Sequence, residues 1–120
     1  MPARNVLVRL ERKLTVENLW LFIIASLLEG PTYAYDVRRR IRKYFGFSPS
    51  TITLYAVIYM LRREGLIRVA SEQPKTYGVT EDGARALAEA VRYLEVSVDR
   101  IRGLMKRCSC TEGGGARPSS

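Results

Sequence analysis

Apolar and polar positions fall into a succession of different rhythms along the chain, and each rhythm predicts an element. Residues 1–14 scatter Val6, Leu7, Val8, Leu10 and Leu14 among basic residues at a spacing that fits helix and strand alike, so this basic arm is left open. Thr15 then stands as N-cap of a helix over Val16 to Glu29, apolar on nearly every side and ended by Gly30-Pro31. A helix buried all round needs two packing partners. Thr32 is positioned to cap a second helix, Tyr33 to Tyr44, where Ala34, Val37, Ile41 and Phe45 recur at helical spacing before Gly46 ends it. Ser48, followed by Pro49, opens a third helix that runs to Glu64, carries the stripe Leu54, Val57, Ile58 and Leu61, and stops at Gly65.

The rhythm then shortens. Leu66 to Ala70 and Thr76 to Val79 read as two strands around a polar turn, Ser71 to Lys75, which makes a β-hairpin. Thr80, with Glu81 and Asp82 beside the positive helix end, starts a fourth helix that continues to about Met105. Three helices, a two-stranded wing and a long helix give a mainly α fold, a winged helix-turn-helix with an added C-terminal helix. The expected divisions are a basic arm over 1–14, a winged-helix domain over 15–83, a dimerisation helix over 84–107 and a Gly/Ser-rich, disordered tail over 108–120.

Within the fourth helix, Ala84, Leu87, Val91, Leu94, Val98, Ile101 and Met105 alternate steps of three and four, the seam pattern of a coiled coil. Packing of that stripe on its own domain is the competing reading. A second copy is favoured, with Leu87, Val91, Leu94, Val98, Ile101 and Met105 as its interface, Ala88 and Ala90 allowing close approach, and Glu95 and Arg102 flanking it.

Charge gives this architecture a partner. Lysine and arginine outnumber aspartate and glutamate by 20 to 12, for a net charge of +8 with no histidine among 120 residues. A polyanion fits that balance. On the third helix the core stripe leaves Ile52, Tyr55, Ala56, Tyr59 and Arg63 on the opposite face, with Arg62 at its edge and Ser50 and Thr51 at its start. A surface of this kind is often only a solvated face. Here five cations, Arg38, Arg39, Arg40, Arg42 and Lys43, lie on the preceding helix, which crosses the DNA backbone in this architecture, and Lys75 sits in the wing tip. Double-stranded DNA is therefore the expected partner, with Arg38, Arg39, Arg42, Ser50, Thr51, Tyr55, Tyr59, Arg62, Arg63 and Lys75 as contacts. The groove face is short of Arg, Asn and Gln, which leaves base discrimination to thymine methyls, duplex shape or a few bases.

Other functions are poorly supplied. No phosphate loop, nucleophile elbow or histidine is present, so an enzyme is not expected and no cofactor is implied. The apolar run Leu19 to Leu28 is about half the ~20 residues that cross a bilayer, and the first residues lack the build of a signal peptide, so a cytoplasmic protein without membrane attachment is expected. Cys108-Ser109-Cys110 raises a metal-responsive repressor as one alternative, although a lone Cys-x-Cys pair is more often two thiols or a disulfide. A winged-helix protein-interaction module, with Ile52, Tyr55 and Tyr59 packing on a protein, is the alternative from another class.

The runs Leu28-Glu29-Gly30-Pro31-Thr32-Tyr33-Ala34-Tyr35-Asp36, Ser48-Pro49-Ser50-Thr51-Ile52-Thr53-Leu54-Tyr55, Arg63-Glu64-Gly65-Leu66-Ile67 and Thr76-Tyr77-Gly78-Val79-Thr80-Glu81-Asp82-Gly83 together resemble the PadR-like transcriptional regulators. The resemblance implies a dimeric regulator, usually a repressor, whose interface can accept a small, often aromatic, effector. It places Thr53 and Tyr55 in the recognition-helix motif and Lys75 in the wing. Ala34, Ile52 and Ala56 depart from the glycine, glycine and proline usual at those places. Trp20, Phe22, Met60 and Tyr93 are candidates for an effector pocket, though residues of this kind at helical spacing more often form ordinary core.

Overall fold

The computed structural model describes residues 2–108, with side chains from Arg4 onward. It divides into two compact units, residues 1–87 and the chain from Ala88 on. In order the elements are α1 (Pro2–Thr15), α2 (Leu19–Leu27), α3 (Ala34–Phe45), α4 (Thr51–Arg63), β1 (Ile67–Glu72), β2 (Lys75–Val79) and α5 (Glu81–Arg107). The mainly helical fold with its hairpin and long last helix is the one the residue pattern predicts.

The first unit is organised around α2. Leu19, Ile23, Ile24 and Leu27 of α2 are buried with Ala34, Val37 and Ile41 of α3, Leu54, Ile58 and Leu61 of α4, and Ile67 and Tyr77 of the hairpin. Because α3, α4 and β2 all pack on it, the all-round apolar character of α2 is satisfied. Burying an aliphatic side chain of this size contributes about 1.5–3 kcal/mol relative to leaving it in water. Loss of the α2 surface would therefore unseat α3, α4 and β2. Among the described residues no helix is long and apolar enough to cross a membrane.

The undecided arm is a helix, α1. At 100° per residue Val6, Leu7, Leu10 and Leu14 fall on one side of it, and all four are exposed. Thr15, expected to cap the next helix, is instead the last residue of α1, where its hydroxyl donates to the Glu11 carbonyl. Asn18 stands before α2 without a side-chain cap bond, because its amide donates to the Lys13 carbonyl and closes the end of α1.

Two further caps move for tertiary reasons. The Thr32 backbone is taken up by the hairpin, with N–H and C=O both paired to Tyr77 at 3.1 and 2.8 Å, and its hydroxyl donates to Asp36, so α3 starts after Tyr33 without a side-chain cap. Ser50 rather than Ser48 caps α4: its Oγ accepts from the Thr53 N–H at 3.1 Å. Pro49 precedes the cap, buried, with its carbonyl held by Arg38. Gly46 ends α3 in the left-handed conformation at φ 82° and Gly65 follows α4 at φ 78°, backbone that favours glycine.

The strands reach further into the wing tip than the sequence suggests. Ile67 pairs with Val79, Arg68 with Gly78 and Val69 with Tyr77; after an irregularity Ser71 pairs with Thr76 and Glu72 with Lys75. Only Gln73 and Pro74 are left as the turn, and Lys75 is a strand residue. At the other end of the hairpin the Thr80 hydroxyl accepts from the Gly83 N–H and donates to the Gly65 carbonyl, which ties the start of α5 to the end of α4. α5 continues past Met105 to Arg107. The expected tail lies outside the described residues from position 109, and Cys110 with it.

Candidate nucleic-acid interface

With Leu54, Ile58 and Leu61 fixed in the core, α4 has no choice about what it shows to solvent. Ile52, Tyr55, Ala56, Tyr59, Arg62 and Arg63 are all exposed, Ile52 most of all at 83%. Ser50 and Thr51 are exposed at the N-terminal end, where backbone amides favour an anion. Thr53 turns away from this face: half-buried, it receives the Ser50 hydroxyl at 2.9 Å and belongs to the cap. The Arg63 guanidinium lies 5.8 Å from the centre of the Tyr59 ring, a cation–π contact that steadies both side chains.

The five cations of α3 divide into two groups. The Arg38 Nε donates to the Pro49 carbonyl at 2.6 Å, so this arginine holds the start of α4. Arg40, whose side chain is 17% exposed, donates to the Ser26 and Gly30 carbonyls and ion-pairs with Glu29 and Asp36 at 3.3 and 3.2 Å. Such a set of partners is what partial burial of a guanidinium demands. Glu29 also accepts from the Tyr44 hydroxyl, which pushes that phenol above its ordinary range. The remaining three are exposed. Arg39 pairs with Asp36 at 2.8 Å while its side chain stays 66% exposed, Arg42 has no ion pair among those found in the described residues, and Lys43 sits 5.2 Å from the Tyr44 ring centre.

On the wing, Lys75 is exposed and stands opposite Glu72 in the strand pair. Arg68 adds a cation that sequence reasoning missed: it is exposed on β1, opposite Gly78. A Cβ at Gly78 would stand 3.2 Å from the Arg68 guanidinium, so that glycine leaves room for the arginine. Strand alternation, with Ile67 inward and Arg68 outward, was the available signal. Arg38 and Thr53 thus have partners within the fold, whereas Arg39, Arg42, Ser50, Thr51, Tyr55, Tyr59, Arg62, Arg63 and Lys75 are all presented to solvent.

In the second unit, Val91, Leu94, Val98 and Ile101 are exposed along one face of α5. Leu87 is set apart from the rest of the expected seam: it is partly buried and packs on the core of the first unit, so the exposed apolar stripe starts at Val91. Met105 lies near the helix end, where its carbonyl accepts the Cys108 N–H. Among the effector candidates Trp20 and Phe22 pack on the core, Phe22 edge-to-face with Phe45 and Phe47 at 4.9 and 5.1 Å, while Met60 and Tyr93 are exposed. No group of three or more acidic, cysteine or histidine residues that could hold a metal occurs among the described residues.

The family model of the transcriptional regulator PadR-like family matches residues 23–89, more than half of the chain. Among solved structures the chain is similar to a PadR family transcriptional regulator from Eggerthella lenta, at 22% identity over 88% of this chain and 93% of that one, with a TM-score of 0.67. A transcriptional regulator from Clostridium thermocellum is 23% identical over 70% of this chain and 89% of that one, TM-score 0.60. RosR from H. salinarum is 17% identical over 75% and 90%, TM-score 0.57. At these identities the likenesses speak for the fold. No curated protein sequence matches the chain.

Proposed function

The chain belongs to the PadR-like family of transcriptional regulators, and from that membership we propose that it works as a cytoplasmic homodimer that lies along duplex DNA and represses transcription. The observation that carries the reading is the outer face of α4. A helix anchored by Leu54, Ile58 and Leu61 offers two tyrosines, an isoleucine and two arginines to solvent, and Arg39 and Arg42 of the preceding helix and Arg68 and Lys75 of the wing are exposed as well. Cations flanking a protruding helix neutralise phosphates, and the helix between them enters the major groove.

Homodimerisation is supported by the exposed stripe Val91, Leu94, Val98 and Ile101 on α5. A second copy covers it by the same stripe, as two-fold symmetry requires, and sets the two recognition helices about one DNA turn, ~34 Å, apart. The sign of regulation and control by an aromatic effector rest on the family resemblance, since Trp20 and Phe22 have structural partners.

Titration of the full chain against a duplex carrying the DNA upstream of its own coding sequence tests the proposal. Retarded complexes of two-fold stoichiometry, weakening as salt rises, are expected. Failure to bind any duplex at low ionic strength would refute it and favour the protein-interaction module.

A further inference from the structure

Resting on the DNA-binding reading, we infer that α4 reads the C5 methyl group of pyrimidines, and that Ile52 is the residue that does so. Ile52 occupies the second position of α4, in the N-terminal turn that meets base edges in a helix-turn-helix complex. It is the most exposed large apolar side chain among the described residues, at 83%. Nothing in the fold asks for an isoleucine there. It belongs neither to the core nor to the partly buried apolar residues packed on it, and the first turn is already capped by Ser50.

The rest of the face narrows the chemistry. From Ile52 through Tyr55 and Ala56 to Tyr59 the row spans about 10.5 Å at 1.5 Å per residue, roughly three base steps. No residue in that row is an Arg, Lys, Asn or Gln, the side chains that read guanine or adenine with paired hydrogen bonds. Arg62 and Arg63 follow Tyr59 by about 4.5–6 Å and stand about 15 Å or more from Ile52 along the axis; Arg63 is held over the Tyr59 ring, and both are assigned to phosphates at the far end of the face. The Thr51 and tyrosine hydroxyls accept or donate to several base edges and discriminate weakly. An aliphatic side chain in the major groove distinguishes one feature, the methyl of thymine, which 5-methylcytosine also carries. The exposed Arg62 and Arg63 on the same helix, with exposed Arg39 and Arg42 on the helix before it, suit a duplex rather than an apolar protein surface, which would have to bury them.

The test begins with the duplex that the full-length protein selects from a random pool. Each thymine of that duplex is replaced singly by uracil, which removes the methyl and keeps every hydrogen-bonding group. Binding is expected to weaken about fourfold at one or two positions per half-site, the loss that corresponds to one buried methyl group. At a cytosine made accessible in the same place, 5-methylcytosine should restore what uracil loses. Ile52→Ala, checked for an unchanged melting temperature, should bind thymine and uracil duplexes equally while keeping the wild-type salt dependence. Uracil without effect at every position of a tightly bound duplex would overturn this inference and leave DNA binding standing. Uracil sensitivity that persists in Ile52→Ala would overturn the assignment to Ile52. Absence of any selected duplex would overturn the DNA-binding reading itself.

Discussion

Arg38, Arg39, Arg40 and Arg42 are one residue type within five positions, yet the fold gives them opposite work. At 100° per residue, Arg38 and Arg40 fall to either side of the stripe formed by Ala34, Val37 and Ile41, whereas Arg39 and Arg42 point further out. Proximity to the stripe forces partial burial, and burial forces partners, so Arg38 holds Pro49 and Arg40 holds two carbonyls and two carboxylates. Arg40→Ala is expected to lower the unfolding free energy by about 1–3 kcal/mol, because it strands buried acceptors. Arg42→Ala should change it by less than about 0.5 kcal/mol. Urea denaturation of the two variants decides the point; equal losses would contradict the division. Gly83 carries a second prediction. A Cβ there would stand 2.0 Å from the Leu66 carbonyl oxygen, so Gly83→Ala should cost about 1–3 kcal/mol or more through displaced backbone, read as a lower thermal midpoint. The sequence alone makes Arg38 a DNA contact; its place beside the stripe is visible there, but the Pro49 carbonyl that it holds is not, since that carbonyl lies eleven residues away.

Among the elements, what was legible and what was not separates by physical cause. The stripes of α3 and α4 and the two glycines that end them were readable because each is set by local periodicity and backbone freedom. Caps were misplaced at Thr15, Thr32 and Ser48 because a hydroxyl near a helix start has several backbone groups within reach, and tertiary contacts choose among them. The choice at α4 is testable. Ser50→Ala should cost about 1 kcal/mol and Ser48→Ala, at an exposed position outside the helix, less than about 0.5 kcal/mol; a larger loss at Ser48 would return the cap to the position the sequence suggested. Ambiguity in the arm had a different origin, since the consecutive Val6, Leu7 and Val8 satisfy a strand as well as a helix. Near the wing tip, the turn residues marked the hairpin but not its register, in which Glu72 pairs with Lys75 after an irregularity between Val69 and Ser71.

Over the whole molecule, a net charge of +8 and two unpartnered apolar stripes, Val6, Leu7, Leu10 and Leu14 on α1 and Val91, Leu94, Val98 and Ile101 on α5, point outward to partners of two kinds. Charge favours a polyanion, and the α5 stripe is the surface proposed for a second copy. Leu94→Asp puts a carboxylate into the proposed seam, so it should sediment as a monomer and bind DNA much more weakly; a dimer that persists would move the interface elsewhere. The central claim is that the surface of α3, α4 and the wing neutralises DNA phosphates. The direct measurement is the slope of log affinity against log salt concentration for the wild type and for the Arg42→Ala, Arg62→Ala, Arg63→Ala triple variant on one duplex. Each phosphate contact contributes about 0.9 to that slope, so the triple variant should be shallower by about 2.7 per protomer. A wild-type slope near zero, or a slope unchanged by removal of these three arginines, would contradict the account.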